Sequence, residues 1–306
     1  MTIFLALAKQ GRIRVILDNA ALHHNTKTQK PEDQFETLFI KAAKAPAAIM
    51  RGHFGRYAHD KVLLVSKVTG KARVPRKVLT GSTNFSITGL YVNSNHILVF
   101  DDPKVAATYA KVFDDAWASK ATMAFAKNGE ANQSFTLATS PEIDATFSPH
   151  PKPFAKQTLD DLAARIAEEG TQPDGSVLFA VMGLAKGTGP VLPALRNLHA
   201  NEKIFSYGIS DDPGGIHLYT PRRKTGVLAT GKPTRTKLPP PFDQVPGVGI
   251  GHQVHHKFVV CGFRGKKPVV YCGSSNLAQG GEEESYEDDP HGVPLSGRMP
   301  LSIRCM

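Results

Sequence analysis

"HDKVLLVSK", residues 59–67, sets a histidine and a lysine two positions apart at the mouth of an apolar run. "HHKFVVCG", residues 255–262, does so again about 200 residues later. On an extended strand, residues i and i+2 share a face. His59 with Lys61, and His255 with Lys257, therefore each aim an imidazole and an ammonium at one point, while Asp60 and His256 between them face away. One such pair is an ordinary solvated strand end. Here each pair is followed by the same second signal: "GSTN" at 81–84, beginning 22 residues after His59, and "GSSN" at 273–276, beginning 18 after His255. Two ordered signals recurring twice, both flanked by apolar runs, indicate an internal duplication.

The segments around these signals alternate in period. "RIRVILD" (12–18), "KVLLVSK" (61–67), "RKVLTGSTN" (76–84) and "HILVFDD" (96–102) are β-branched and apolar, as strands are. "FETLFIKAAKAPAAIM" (35–50) reads as a short helix interrupted at Pro46, and "PKVAATYAKVFDDAWA" (103–118) as a helix opened by proline. In the second half, strands are expected at 176–184, 204–210 and 268–276 and helices at 159–170 and 189–203, with a possible strand ending near 145–153. A long Pro-rich basic loop spans about 211–250. The alternation implies an α/β fold. The expected organisation is a first half at 1–125, a polar linker at 126–141 and a second half at 142–306.

"RIRVILD" aligns with "IFSYGIS" (204–210), but the second half has a strand and a helix before that point and the first half does not. After "GSSN" no clear strand or helix follows, whereas "GSTN" leads into one of each. N- and C-terminal elements are accordingly expected to be incomplete.

The 306 residues carry 41% hydrophobic and 21% charged side chains, ordinary values for a globular chain, and a net charge of +10 that favours anionic partners. The three cysteines lack metal-ligand spacing and an even count. Cys261 and Cys272 read as buried free thiols. The six-residue apolar run at the start is too short for a signal core or a membrane span, and no transmembrane segment is read elsewhere. A cytoplasmic location is expected.

The duplicated His-x-Lys with Gly-Ser-x-Asn resembles the phospholipase D superfamily, from about Arg12 to Asn276. The resemblance implies two similar α/β halves packed around a pseudo-twofold axis with one shared site. It implies cleavage or transfer of phosphodiesters in phospholipids or nucleic acids. The family's usual aspartate five positions after the lysine is absent, the positions holding Ser66 and Gly262.

A phosphodiester repels nucleophiles and has a poor leaving group, so a covalent intermediate divides the difficulty. Imidazole serves both as nucleophile and, protonated, as acid. One histidine from each half permits in-line attack on one side and protonation of the leaving oxygen on the other. The resemblance favours His59 as nucleophile and His255 as acid. Lys61 and Lys257 would neutralise phosphoryl oxygens. Ser82, Asn84, Ser274 and Asn276 would donate hydrogen bonds to those oxygens or fix the imidazoles. Asn95 and Glu287 occupy positions where relatives carry an acid bonded to the site histidine. No metal or other cofactor is expected; His252 beside His255 and His256 lacks further ligands. Basic residues lie beside both motifs (Lys67, Arg73, Arg76; Arg264, Lys266, Lys267) and in the long loop (Arg222, Arg223, Lys224). They suit a polyanion and are also common on solvated loops. Aromatic residues for base stacking are sparse, and no amphipathic interfacial helix is evident. The expected function is a phospholipase D-type phosphodiester hydrolase acting on phospholipid or nucleic acid. The alternative is a catalytically impaired module that binds anions or nucleic acid. A monomer suffices for the shared site.

Overall fold

β-branched runs form strands in both halves, and the amphipathic stretches between them form helices. The computed structural model describes residues 2–54, 57–70, 72–139, 141–184, 188–201, 203–210, 226–230, 254–282 and 301–305. The first half runs α1 (Thr2–Lys9), β1 (Arg14–Asp18), α2 (Pro31–Ala42), β2 (Ala48–Gly52), β3 (Leu63–Thr69), β4 (Ala72–Gly81), α3 (Ile87–Tyr91), β5 (Ile97–Phe100) and α4 (Pro103–Ala118). Asp102 caps α4 by accepting from the backbone N–H of Lys104 and Val105, and Pro103 needs no partner in the first turn.

Two 3-10 turns then lead to β6 (Ser134–Thr139), β7 (Glu142–Phe147), α5 (Lys152–Glu169), β8 (Ser176–Val181), α6 (Val191–His199), β9 (Phe205–Ser210), β10 (Gly226–Thr230), β11 (Lys257–Cys261), β12 (Val269–Gly273), α7 (Gln279–Glu282) and β13 (Leu301–Cys305). The second half forms one eight-stranded sheet in the order β10-β9-β8-β11-β12-β13-β7-β6. The first half forms a parallel pair, β1-β2, and a three-stranded sheet, β3-β4-β5.

The duplication holds residue by residue. Leu63 opposes Leu79 as Val259 opposes Tyr271, and Thr80 opposes Leu98 as Cys272 opposes Ile303. The parallel pairs match as well: Asp18 opposes Gly52 as Ser210 opposes Thr230. β1, β2, β3, β4 and β5 are therefore the counterparts of β9, β10, β11, β12 and β13, and "RIRVILD" aligns with "IFSYGIS" as the sequence indicated. β8 has no counterpart in the first half among the described residues.

Three segments differ from the sequence expectation. The tail of the stretch read as an interrupted helix, 48–52, is strand β2, because Pro46 ends helical hydrogen bonding and the apolar residues after it pair with β1. The expected linker at 126–141 carries 3-10 turns and β6, whose pairing with β7 extends the sheet edge. Leu301–Cys305, where no strand was read, is β13, inserted between β12 and β7. The loop expected at 211–250 lies outside the described residues except for β10.

One core packs α5 and α6 against β8 and β11, burying Leu162, Ile166, Val177, Phe179, Val181 and Leu195. Each such side chain contributes about 1.5–3 kcal/mol of hydrophobic stabilisation. A second core joins the halves: Val78 and Tyr109 pack with Phe147 and Cys272. No described helix is long and apolar enough to cross a membrane.

Candidate active site

The sequence predicts a shared face for each His-x-Lys pair, and backbone geometry adds a bond within each. Lys61 Nζ donates to the His59 carbonyl at 2.6 Å. Lys257 Nζ donates to the His255 carbonyl at 2.7 Å and lies 3.6 Å from Met182 Sδ. Each lysine thus folds back on the residue two before it. Both are buried, Lys61 at 5% exposure and Lys257 at 0%. Burying an ammonium is costly unless it is hydrogen-bonded and meets an anion. A buried cation next to a histidine, once in each half, is a feature that an anion such as a phosphate would complement.

His255 is buried and held by the other half. Its backbone N–H donates to the Ser94 carbonyl at 2.8 Å, beside a bridge between Ser94 and Val254. Its Nδ1 meets Asn95 Oδ1 at 2.8 Å. The Asn95 amide nitrogen donates to the carbonyls of Gly89 (2.8 Å) and Asn93 (3.1 Å), so the amide cannot be turned over. Oδ1 must therefore accept, Nδ1 of His255 must carry the proton, and Nε2 is left for chemistry.

Ser82 completes this support. Gly81, at φ +141°, lets the chain leave β4, and a Cβ there would stand 2.3 Å from the His96 carbonyl oxygen. Ser82 N–H then donates to that carbonyl, its Oγ accepts from His96 N–H, and its hydroxyl donates to Asn95 Oδ1, at 3.0, 3.0 and 3.1 Å. The one hydroxyl proton of Ser82 is thus directed at Asn95. Of the two roles expected from sequence, donating to phosphoryl oxygens or fixing an imidazole, this bond fits the second.

Of the other expected site residues, Ser274 is buried and His59, Asn84 and Asn276 are half-buried. Oδ1 of Asn276 is buried and unpaired among the described residues, and its amide nitrogen lies against Gly183. Glu287 and His252 lie outside the described residues, as do Arg222, Arg223 and Lys224 of the long loop. Cys261 and Cys272 are buried free thiols, and burial pushes the Cys261 thiol up to about 12.

His256 packs against the first half. Its ring stacks on His96 of the first half, centroids 5.9 Å apart and 8° from parallel, with Phe258 edge-on to both. Burial, then the neighbouring His256 and Lys257 charges, push His96 down to about 4; burial and then Lys257 lower His256. Sequence reasoning missed Ser94, His96, Met182 and the cross-half reach of Asn95, because no local pattern signals a contact between residues so far apart in the chain.

The family described as "Cardiolipin synthase, PLD-like domain" matches residues 1–117, the segment that holds His59, Lys61, Ser82 and Asn95. That segment is similar to a phospholipase D-like domain. Among solved structures, a polyphosphate kinase from Porphyromonas gingivalis matches over 99% of this chain and 40% of its own, at 12% identity and a TM-score of 0.57. At that identity the likeness is one of fold, and it runs through both halves of this chain. This chain spans well under half the length of that kinase chain. No curated protein matches.

Proposed function

We propose that the protein is a phosphoryl-transfer enzyme of phospholipase D type that hydrolyses a phosphodiester through a phosphohistidine. The observation that carries this reading is the repetition, in matching register, of a buried lysine bonded to the carbonyl of its own histidine, at the start of β11 and just before β3.

A neutral nitrogen of His59 attacks phosphorus and forms a P–N bond while the P–O bond to the leaving group breaks. Nε2–H of a protonated His255 gives its proton to the departing oxygen. His255 is then neutral, with Nδ1–H still donated to Asn95, and its Nε2 takes a proton from water as that water attacks phosphorus and releases His59. Lys61 and Lys257 offset the negative charge that builds on the non-bridging oxygens, as preorganised cations in a water-poor site do. Asn84 and Asn276 supply amide groups to the same oxygens, and Ser274 stands beside them. Glu287, by resemblance, would support His59 as Asn95 supports His255. The substrate class is a phosphodiester of phospholipid or nucleic acid, in keeping with the +10 charge.

The test traps the intermediate. Given a nitrophenyl phosphodiester, whose leaving group needs no proton, His255→Asn should still phosphorylate His59 but release it slowly. Mass spectrometry after alkaline quench should find the label on His59 and none in His59→Asn. Label on His255 of the His59→Asn protein alone would reverse the two roles. No covalent label on either protein would overturn the mechanism. Turnover of DNA, RNA and phosphatidylcholine compared side by side would separate the substrates.

A further inference from the structure

The matched registers make one difference between the halves conspicuous. In the second half β8 lies between β9 and β11. It runs parallel to β9, Ser176 opposite Phe205 and Ala180 opposite Ile209, and antiparallel to β11, Val181 opposite Lys257 and Val177 opposite Cys261. The counterparts of β9 and β11 are β1 and β3. Among the described residues, β1 pairs with β2 and β3 with β4, and neither pairs with a strand on its other side. The space between them is a cavity of about 1160 Å³, walled by Val15, Ile16 and Leu17 of β1 and by Val62, Leu63 and Leu64 at β3.

The helix that covers β8, α5, also lacks a counterpart among the described residues. Val259 and Cys261 of β11 are fully buried in the core that α5 closes. Their counterparts on β3 are Leu63, half-buried, and Val65, 49% exposed. On the same small sheet Val99 is 63% exposed. Among the described residues the first half therefore presents two open strand edges, an apolar space between them and an uncovered apolar face beside them. Unpaired ladder groups on an edge are a template for another strand.

We propose that the cleft between β1 and β3 is an acceptor site for a helix–strand segment of the chemistry of α5 and β8. The strand would be extended, about six residues long and apolar on both faces, as β8 is after its buried Ser176. It would run parallel to β1 and antiparallel to β3, satisfying the N–H and C=O groups of both edges, a mode of recognition in which main-chain bonds give affinity and alternate side chains give specificity. The helix before it would cover Leu63 and Val65. The occupant is a polypeptide partner, and its chemistry is read from the other half of this same molecule.

The probe is a synthetic peptide with the sequence of residues 152–181, titrated into the full chain and followed by calorimetry and amide hydrogen exchange. Saturable binding is expected, with exchange at Val15–Leu17 and Leu63–Val65 slowed at least tenfold and exchange on β9 and β11 unchanged. A peptide carrying Leu178→Pro and Ala180→Pro lacks two ladder donors and should give no such protection. A chain with Val65→Lys, which places a charge under the helix, should bind at least tenfold more weakly. Three results would overturn the proposal: β1 and β3 amides already protected in the free chain, unchanged exchange there at saturating peptide, or protection on β9 and β11 instead, which would mean exchange with the chain's own β8.

Discussion

His255 donates its Nδ1–H to Oδ1 of Asn95 at 2.8 Å, across 160 residues of sequence and from one half of the duplication to the other. The bond sets the tautomer of a proposed catalytic group in the second half with a side chain of the first. It also makes the site a joint product of both halves.

Asn95→Leu should keep the fold and lower turnover by about tenfold to a hundredfold, the usual effect of removing a group that orients a functional imidazole. Asn95→Asp should restore much of that activity and move the basic limb of the pH–rate profile to higher pH, because a carboxylate favours the protonated ring. Equal activity of all three proteins across the pH range would show that the bond plays no part in turnover.

Lys61→Ala and Lys257→Ala should each lower kcat/KM by roughly a hundredfold to a thousandfold, the scale of losing one preorganised charge-stabilising donor. The double variant should be little worse than either, since groups acting on one phosphate are not additive. Steady-state kinetics with a chromogenic diester reads this directly. Mild losses that multiply would indicate two independent sites.

The stacked pair His96 and His256 predicts acid sensitivity. Both titrate below the ordinary 6.5 in the folded chain, His96 near 4, so the unfolded chain binds more protons between those values. Stability is fully present above about pH 6.5 and falls as pH drops toward 4. His96→Leu, which keeps an apolar group in the interface but cannot take a proton, should flatten that fall by about 1–2 kcal/mol at pH 4.5. Thermal melts of both proteins at half-unit pH steps make the comparison, and parallel curves would exclude His96 as a source of the slope.

Gly81→Ala should destabilise by at least about 2 kcal/mol. It forces a side chain into a positive φ and toward the His96 carbonyl oxygen. The loss should be visible as a lower urea midpoint, and the Ser82–Asn95 support should loosen with it. An unchanged midpoint would mean that β4 ends differently.

The strands that carry the site were legible in the sequence because their signals are local. The apolar runs after Lys61 and Lys257 are β3 and β11, and both Gly-Ser-x-Asn motifs follow directly on β4 and β12. The proline and cap of α4 announced it equally well. β2 was hidden because its residues follow an alanine-rich connection that reads as a continuation of α2 and have no polar alternation of their own. β6 was hidden because its serine and threonine content resembles a loop until β7 pairs with it. β13 is five residues whose place in the sheet comes from β12 and β7, not from their own composition. The spacing of each His-x-Lys pair matches a lysine that bonds to the carbonyl two residues before it. That Ser82 spends its proton on Asn95, and Asn95 its oxygen on His255, depends on tertiary approach that no period in the sequence records.

The carbonyl that anchors each lysine belongs to the histidine it serves, so the anchor travels inside the stretch that was copied. Each repeat of the stretch therefore carries its own lysine anchor with it. The amide that holds His255 is of the opposite kind: it has meaning only once two copies face each other. The surroundings of the two lysines can differ without touching that anchor, whereas the bond on His255 depends on Asn95 reaching across from the other half.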